Sequence, residues 1–183
     1  MRHGETEWNR AGRIQGQLDS DLTALGRQQA RRQADIINRL SPRSGGFDLV
    51  SSPLGRTRKT AEIAFGGRFF DTDPRLMEIN CGTWEGLTHA ERTARDPALA
   101  ASCTRDLDLY LNAPGGEGLR ALQERLRDFL AHLTRPTVIV SHKVSLIALR
   151  GLITGLPEDR LYELSSTQGT VIRVAHGQET ILV

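Results

Sequence analysis

The sequence predicts an α/β fold: a three-layer sandwich with a mostly parallel central sheet flanked by helices. Three observations lead there. Phe47-Asp48-Leu49-Val50-Ser51 and Thr137-Val138-Ile139-Val140-Ser141 are short apolar runs bounded by breakers, the pattern of strands buried on both faces. Segments with helical periodicity separate them, and strands alternating with helices close as a parallel sheet. The chain has 183 residues, 38% of them apolar and 25% charged, which suits a soluble domain with a single core.

Taken in order, residues 7–22 are polar, contain Gly12 and Gly16, and read as a loop. Thr23 can cap a helix running to about Leu40, with Leu25, Ala30, Ala34, Ile37 and Leu40 near one face. Ser41-Pro42-Arg43-Ser44-Gly45-Gly46 ends it. After the strand at 47–51, Pro53 suits the first turn of a helix over about 54–65. Residues 68–71 read as a short strand, 76–86 as a loop, and 88–111 as helical pieces broken at Pro97. Beyond Pro114-Gly115-Gly116, residues 117–133 form the cleanest amphipathic helix, with Leu119, Leu122, Leu126, Phe129, Leu130 and Leu133 on one side. The strand at 137–141 leads into 144–153, apolar almost all round and read as a buried helix. Residues 169–183 read as a hairpin turning near His176-Gly177. No linker or repeat interrupts the chain. The expected organisation is one domain over 1–183, with residues 88–113 a helical cap or insertion over the site.

Composition narrows the function. Net charge is +2, with 24 basic and 22 acidic residues interspersed, which favours a small anionic substrate over nucleic acid. No apolar stretch approaches membrane-spanning length, so no membrane partner is expected. The two cysteines, Cys81 and Cys103, are too few for a disulfide framework or a zinc site, and the cytoplasm is the expected compartment. No cluster has metal-ligand spacing; neither metal nor cofactor is expected.

Parallel sheets place their sites at the carboxyl ends of strands. Arg56 follows one strand end and His142 another, Arg2-His3-Gly4 opens the chain, and Glu78 lies in the loop that continues through Gly82-Thr83-Trp84-Glu85-Gly86. Together they would make a phosphate site with its own acid. A neutral imidazole nitrogen is nucleophilic toward phosphorus, and neighbouring guanidinium groups would keep His3 neutral near pH 7. Arg2, Arg56 and a protonated His142 would hold the equatorial oxygens of the transition state. Glu78, with its pKa raised by partial burial, would protonate the leaving group and then deprotonate water. Glu85 competes with it for that role.

These residues lie in motifs that resemble the histidine phosphatase, or phosphoglycerate mutase-like, superfamily. The matching stretches are Arg2-His3-Gly4-Glu5-Thr6, Trp8-Asn9, Arg13-Ile14-Gln15-Gly16, Ser51-Ser52-Pro53-Leu54-Gly55-Arg56-Thr57, Glu78 to Gly86, Pro114-Gly115-Gly116-Glu117 and Val140-Ser141-His142. The resemblance covers nearly the whole chain in the family's order. It implies His3 as the phosphorylated nucleophile, Arg2, Arg56 and His142 as the phosphate pocket, and Glu78 as the proton donor. It also implies that Asn9, Gln15 and Gly16 line the substrate phosphate. The expected activity is hydrolysis of a small phosphorylated metabolite through phosphohistidine; a homodimer is compatible with it. The alternatives are a cofactor-dependent phosphoglycerate mutase, and a truncated or inactive member acting only as a binding module. Two departures stand out. Lys143 replaces a glycine usual after the second histidine, where it would either add charge toward the substrate or crowd the pocket. Only Met1 precedes Arg2, whereas the family carries an apolar central strand there, so the expectation is that residues upstream of Met1 are missing from the recorded sequence.

Overall fold

The computed structural model describes residues 1–40 and 46–183. All but Gly46 of the breaker expected at 41–46 therefore lies outside the described residues. Helix α1 (Glu7–Arg10) is a single turn where the sequence reads as loop. Its cause is local: Thr6 Oγ1 accepts from the Asn9 N–H while Asn9 Oδ1 accepts from the Thr6 N–H, a reciprocal cap that four residues of pattern do not reveal. Helix α2 (Ala24–Leu40) starts where expected, with Thr23 Oγ1 accepting from the Gly26 N–H at 3.0 Å. Its rotation differs. Leu25 is exposed, and Gly26 faces inward beside Ala30, Gln33, Ile36 and Ile37. The N-terminal segment lies so close that a Cβ on Gly26 would stand 2.1 Å from the Glu5 carbonyl oxygen. Backbone proximity, not apolarity, sets which side of this turn is buried.

Strand β1 (Asp48–Ser51) leads into helix α3 (Gly55–Ala64). Strand β2 (Asp71–Thr72) holds two residues and pairs Asp71 with Val50 and Thr72 with Ser51. The strand expected at 68–71 is thus shifted: Arg68 turns back, its Nε donating to the Phe65 carbonyl at 2.7 Å. Helices α4 (His89–Arg95), α5 (Pro97–Ser102) and α6 (Asp108–Leu111) fill 88–113, with Pro97 in the first turn of α5. Helix α7 (Gly118–Ala131) buries Leu122, Leu126 and Phe129. Strand β3 (Thr137–Val140) runs into helix α8 (Lys143–Thr154), and strands β4 (Val171–Ala175) and β5 (Gln178–Leu182) form the hairpin. His176 and Gly177 both have positive φ, 52° and 72°, as a tight two-residue hairpin turn requires.

The parallel sheet has the order β2-β1-β3. Residues 1–3 extend it on the far side of β3. The Val140 carbonyl faces β1 and accepts from Ser52, whereas the Ile139 and Ser141 carbonyls face away and accept from the Met1 ammonium at 2.8 Å and the His3 N–H at 3.0 Å. Hairpin β4–β5 is a second, antiparallel sheet, tied to this segment by Gln33, which donates to the carbonyls of Arg2 and Thr170. Two apolar clusters give the layers. One gathers Leu122, Leu126, Val144 and Ile147 with Leu76 and Trp84; the other gathers Met1, Ile36, Ile37, Ala61, Phe65 and Val171. No helix among the described residues is long and apolar enough to cross a membrane.

Candidate active site

Parallel pairing brings three chain segments to one end of the sheet. Arg2 bridges Ser141, which sets His3 beside His142, and β1 turns through Ser52 into α3, where Arg56 occupies the first turn. His3 is buried and its Nδ1 lies 2.8 Å from the Gly4 carbonyl. A carbonyl only accepts, so Nδ1 carries the proton and Nε2 keeps its lone pair. Burial first, then the charges of Arg56 and Arg2, hold the His3 pKa well below the usual 6.5. The nucleophile expected from the sequence is therefore neutral at pH 7, with a defined reactive nitrogen.

His142 caps α8, and its Nε2 lies 2.8 Å from Ser52 Oγ. The sequence reading expects it protonated. Here burial, then Arg56 and His3, hold its pKa well below 6.5, so these surroundings oppose the charged ring. Arg56 is buried, and its Nη1 donates to the Leu18 carbonyl at 2.6 Å and to Asp19 Oδ1 at 2.9 Å, its Nη2 to the Gly16 carbonyl at 2.7 Å. Arg2 Nη1 donates to the Ser166 carbonyl at 3.1 Å. Arg2 Nε, Arg56 Nε and His142 Nδ1 are buried without partners. Leaving a buried donor unmet costs about 1–3 kcal/mol, so such a group of donors suits an oxyanion.

Glu78 is buried and joins this site to α8. Its Oε1 accepts from the Ile79 and Ser145 N–H groups at 3.0 Å and its Oε2 from the Val144 N–H at 3.2 Å, while Ser145 Oγ, 3.1 Å from Oε1, lies 2.6 Å from the Met77 carbonyl, to which it donates. Oε1 is the more engaged oxygen, and Oε2 retains capacity. Glu85, the competing carboxylate, instead accepts from the Gln17 and Cys81 N–H groups at 2.9 and 3.0 Å and so ties two loops together.

Of these groups Arg2 also lines a cavity of about 370 Å³, whose walls include Asn9, Arg13, Arg92, Tyr110 and Gln168. Gln168 holds Asn9 on this wall by donating to Asn9 Oδ1 at 3.2 Å, and it also donates to the His3 carbonyl at 3.1 Å. Gln15 is buried, with its Oε1 accepting from Ser20 Oγ at 3.3 Å, and is not on the cavity wall. Gly16 contributes its carbonyl to Arg56; its φ is +52°, and a Cβ there would meet Glu85 Oε1 at 2.0 Å. Lys143 pairs with Asp106 and lies 5.4 Å from the centre of the Tyr110 ring, so its charge goes to the 88–113 segment. The sequence reading missed Asp19 and Gln168, which carry no local signal, and quoted Ser52 within a motif without giving it a role.

The model of the histidine phosphatase superfamily, branch 1, matches residues 1–183, and the chain belongs to that superfamily. Among its relatives, the glucosyl-3-phosphoglycerate phosphatase of Mycolicibacterium vanbaalenii is 36% identical over 174 residues, spanning 87% of this chain and 74% of that protein. A protein of Escherichia fergusonii named "Probable phosphoglycerate mutase GpmB" is 41% identical over 170 residues, spanning 86% of this chain and 74% of its own length. Of solved structures, Bacillus stearothermophilus YhfR superposes with a TM-score of 0.78 at 35% identity, over 98% of this chain and 92% of that one. The α-ribazole phosphatase of Shigella flexneri gives 0.81 at 26% identity, over 100% and 93%.

Proposed function

We propose that this protein hydrolyses a small phosphomonoester through a phosphohistidine at His3. The observation that carries this is the pairing of a neutral His3, its Nδ1 tied to the Gly4 carbonyl, with the unpartnered Arg2 Nε, Arg56 Nε and His142 Nδ1. His3 Nε2 attacks phosphorus while the ester P–O bond breaks. The donors of Arg2, Arg56 and His142 receive the phosphoryl oxygens, aided by Asn9, by Gln15 and by Gly16, whose carbonyl holds Arg56. Glu78 gives a proton from Oε2 to the leaving alkoxide. The resulting carboxylate takes a proton from water, whose oxygen attacks phosphorus as the P–N bond breaks, releasing phosphate and regenerating both residues.

Residues 88–113 act as a cap on a single domain, since Arg92, Asp106 and Tyr110 from this segment stand on the cavity wall with Arg2. Cys81 and Cys103 are free thiols, which accords with a reducing cytoplasm. The relatives carry both phosphatase and mutase names. An assay with 3-phosphoglycerate, with and without 2,3-bisphosphoglycerate, separates the two. Release of inorganic phosphate that needs no bisphosphate is the expected result; isomer formation that depends on it, without phosphate release, would establish the mutase instead.

A further inference from the structure

The 88–113 segment puts Asp106 and Tyr110 on the cavity wall, and one residue from outside the segment holds both. Lys143 Nζ pairs with Asp106 Oδ2 and stands 5.4 Å from the centre of the Tyr110 ring, within cation–π range. Lys143 is not itself on the wall. It opens α8 directly after the N-cap residue His142, so its backbone is fixed beside the phosphoryl pocket while its side chain reaches the 88–113 segment. The Tyr110 hydroxyl makes no hydrogen bond among the described residues, which leaves this ammonium as the polar contact that fixes the ring.

Stability gives no reason for a lysine here. A cation in the first turn of a helix meets the positive end of the dipole. The side chains of Lys143 and Asp106 are 26% and 63% exposed, and a pair so open to water adds little to a fold. The segment is anchored without it. Leu107 and Ala113, on either side of Tyr110, are buried in the apolar cluster of Leu122 and Leu126. The Arg105 guanidinium carbon lies 4.6 Å from the centre of the Tyr162 ring. Nearer α4, Trp84 Nε1 donates to Asp96 Oδ2 at 2.6 Å and Arg13 pairs with Glu91 at 2.7 Å. What Lys143 governs is the placement of Asp106 and Tyr110 relative to Arg2. Arg2 belongs both to the phosphoryl pocket and to this wall, so the cavity adjoins the transferred group.

We propose that Lys143 is a positioning residue for substrate selection: by fastening Asp106 and Tyr110 it sets the width of the cavity that takes the alcohol portion of the phosphomonoester. This rests on the phosphatase reading above and adds a size limit to it. Lys143 acts through the two wall residues and touches no substrate. Without the tie the Tyr110 ring is free to swing and bulkier alcohols enter. The change concerns the fit of a group that does not react, so it acts mainly on KM.

The test compares kcat/KM on ethyl phosphate and 2-cyclohexylethyl phosphate, two primary alkyl esters that differ in bulk and not in charge. Lys143→Met keeps the length of the side chain and removes the charge. It should raise the ratio of bulky to small ester by roughly three- to tenfold, chiefly through KM, and leave the melting temperature nearly unchanged. Asp106→Asn should raise the ratio in the same way, and the double variant no further, since both break one contact. Lys143→Arg, which keeps charge and reach, should retain the wild-type ratio. Salt screens the pair, so the wild-type ratio should move toward that of Lys143→Met at high ionic strength. A folded Lys143→Met that keeps the wild-type ratio would overturn the assignment and leave the phosphatase reading standing. If the variants do not fold, a wild-type ratio unmoved by salt overturns it. A wild type that releases phosphate from neither ester would overturn both.

Discussion

The rings of His3 and His142 stand 5.3 Å apart, tilted by 59°, and the surroundings of both oppose charge. Their meeting is a backbone event. The His3 N–H donates to the Ser141 carbonyl at 3.0 Å, so strand register places one imidazole beside the other. Burial then removes water from both, and Arg56 opposes their protonation.

The first prediction concerns pH and stability. Both histidines have folded pKa values below the unfolded 6.5, so the unfolded chain binds protons first and acid destabilises the fold. Where a chain starts at Met1, its buried ammonium acts in the same sense, its pKa lowered from 8.0 to about 5 chiefly by desolvation. That difference corresponds to about 4 kcal/mol, absent above pH 8 and fully developed below pH 5. Urea midpoints should rise steadily from pH 5.5 to 8. Acetylating Met1, or extending the chain upstream with apolar residues, should flatten the part of the slope above pH 7 and leave the histidine part. A midpoint independent of pH would contradict this account of the buried groups.

Glu78→Gln isolates proton transfer from capping. The amide oxygen can still accept from the α8 N-terminus, so the melting temperature should fall by a few degrees at most. Turnover of an alkyl phosphate should fall by about a hundred- to ten-thousandfold. An aryl phosphate, whose leaving group needs little protonation, should lose far less. Equal losses on both esters would remove Glu78 from the acid role.

Asp19 is predicted to position Arg56. Its carboxylate accepts from Arg56 Nη1 at 2.9 Å, from the Arg56 N–H at 3.2 Å and from the Gly55 N–H, so it caps α3 and aims the guanidinium together. Asp19→Ala should lower stability by about 1–2 kcal/mol. It should also weaken inhibition by inorganic phosphate by roughly tenfold through loss of the aimed arginine. Asp19→Asn, which keeps an acceptor, should restore much of the phosphate affinity. Unchanged phosphate inhibition in Asp19→Ala would show that Arg56 is held without it.

The parts of the site that were legible are those written locally. Ser141-His142 and the stretch ending at Arg56 each follow on an extended segment, so strand ends and functional side chains arrive together, whereas Arg2-His3-Gly4 is legible from its motif alone. Asp19 and Ser52 act through partners 37 and 90 positions away, Arg56 and His142, and no spacing encodes such a pairing. The sequence expects a protonated His142 around the phosphoryl group, and what it does not show is the burial that lowers the pKa of this ring. In the fold, α2 was legible in extent but not in rotation, since Gly26 turns inward to meet the backbone at Glu5. Strand β2 falls at 71–72 rather than 68–71, because its two pairs to Val50 and Ser51 follow from the sheet rather than from its own residues.

The central claim is the covalent step at His3, and acid and alkaline quenching of the enzyme during turnover of a radiolabelled phosphomonoester tests it most directly. The wild type should carry label that survives alkali and is lost in acid, as a phosphohistidine does. A folded His3→Ala variant should carry none and should turn over an aryl phosphate at least about a thousandfold more slowly. Full activity in His3→Ala, or label that resists acid, would contradict the account.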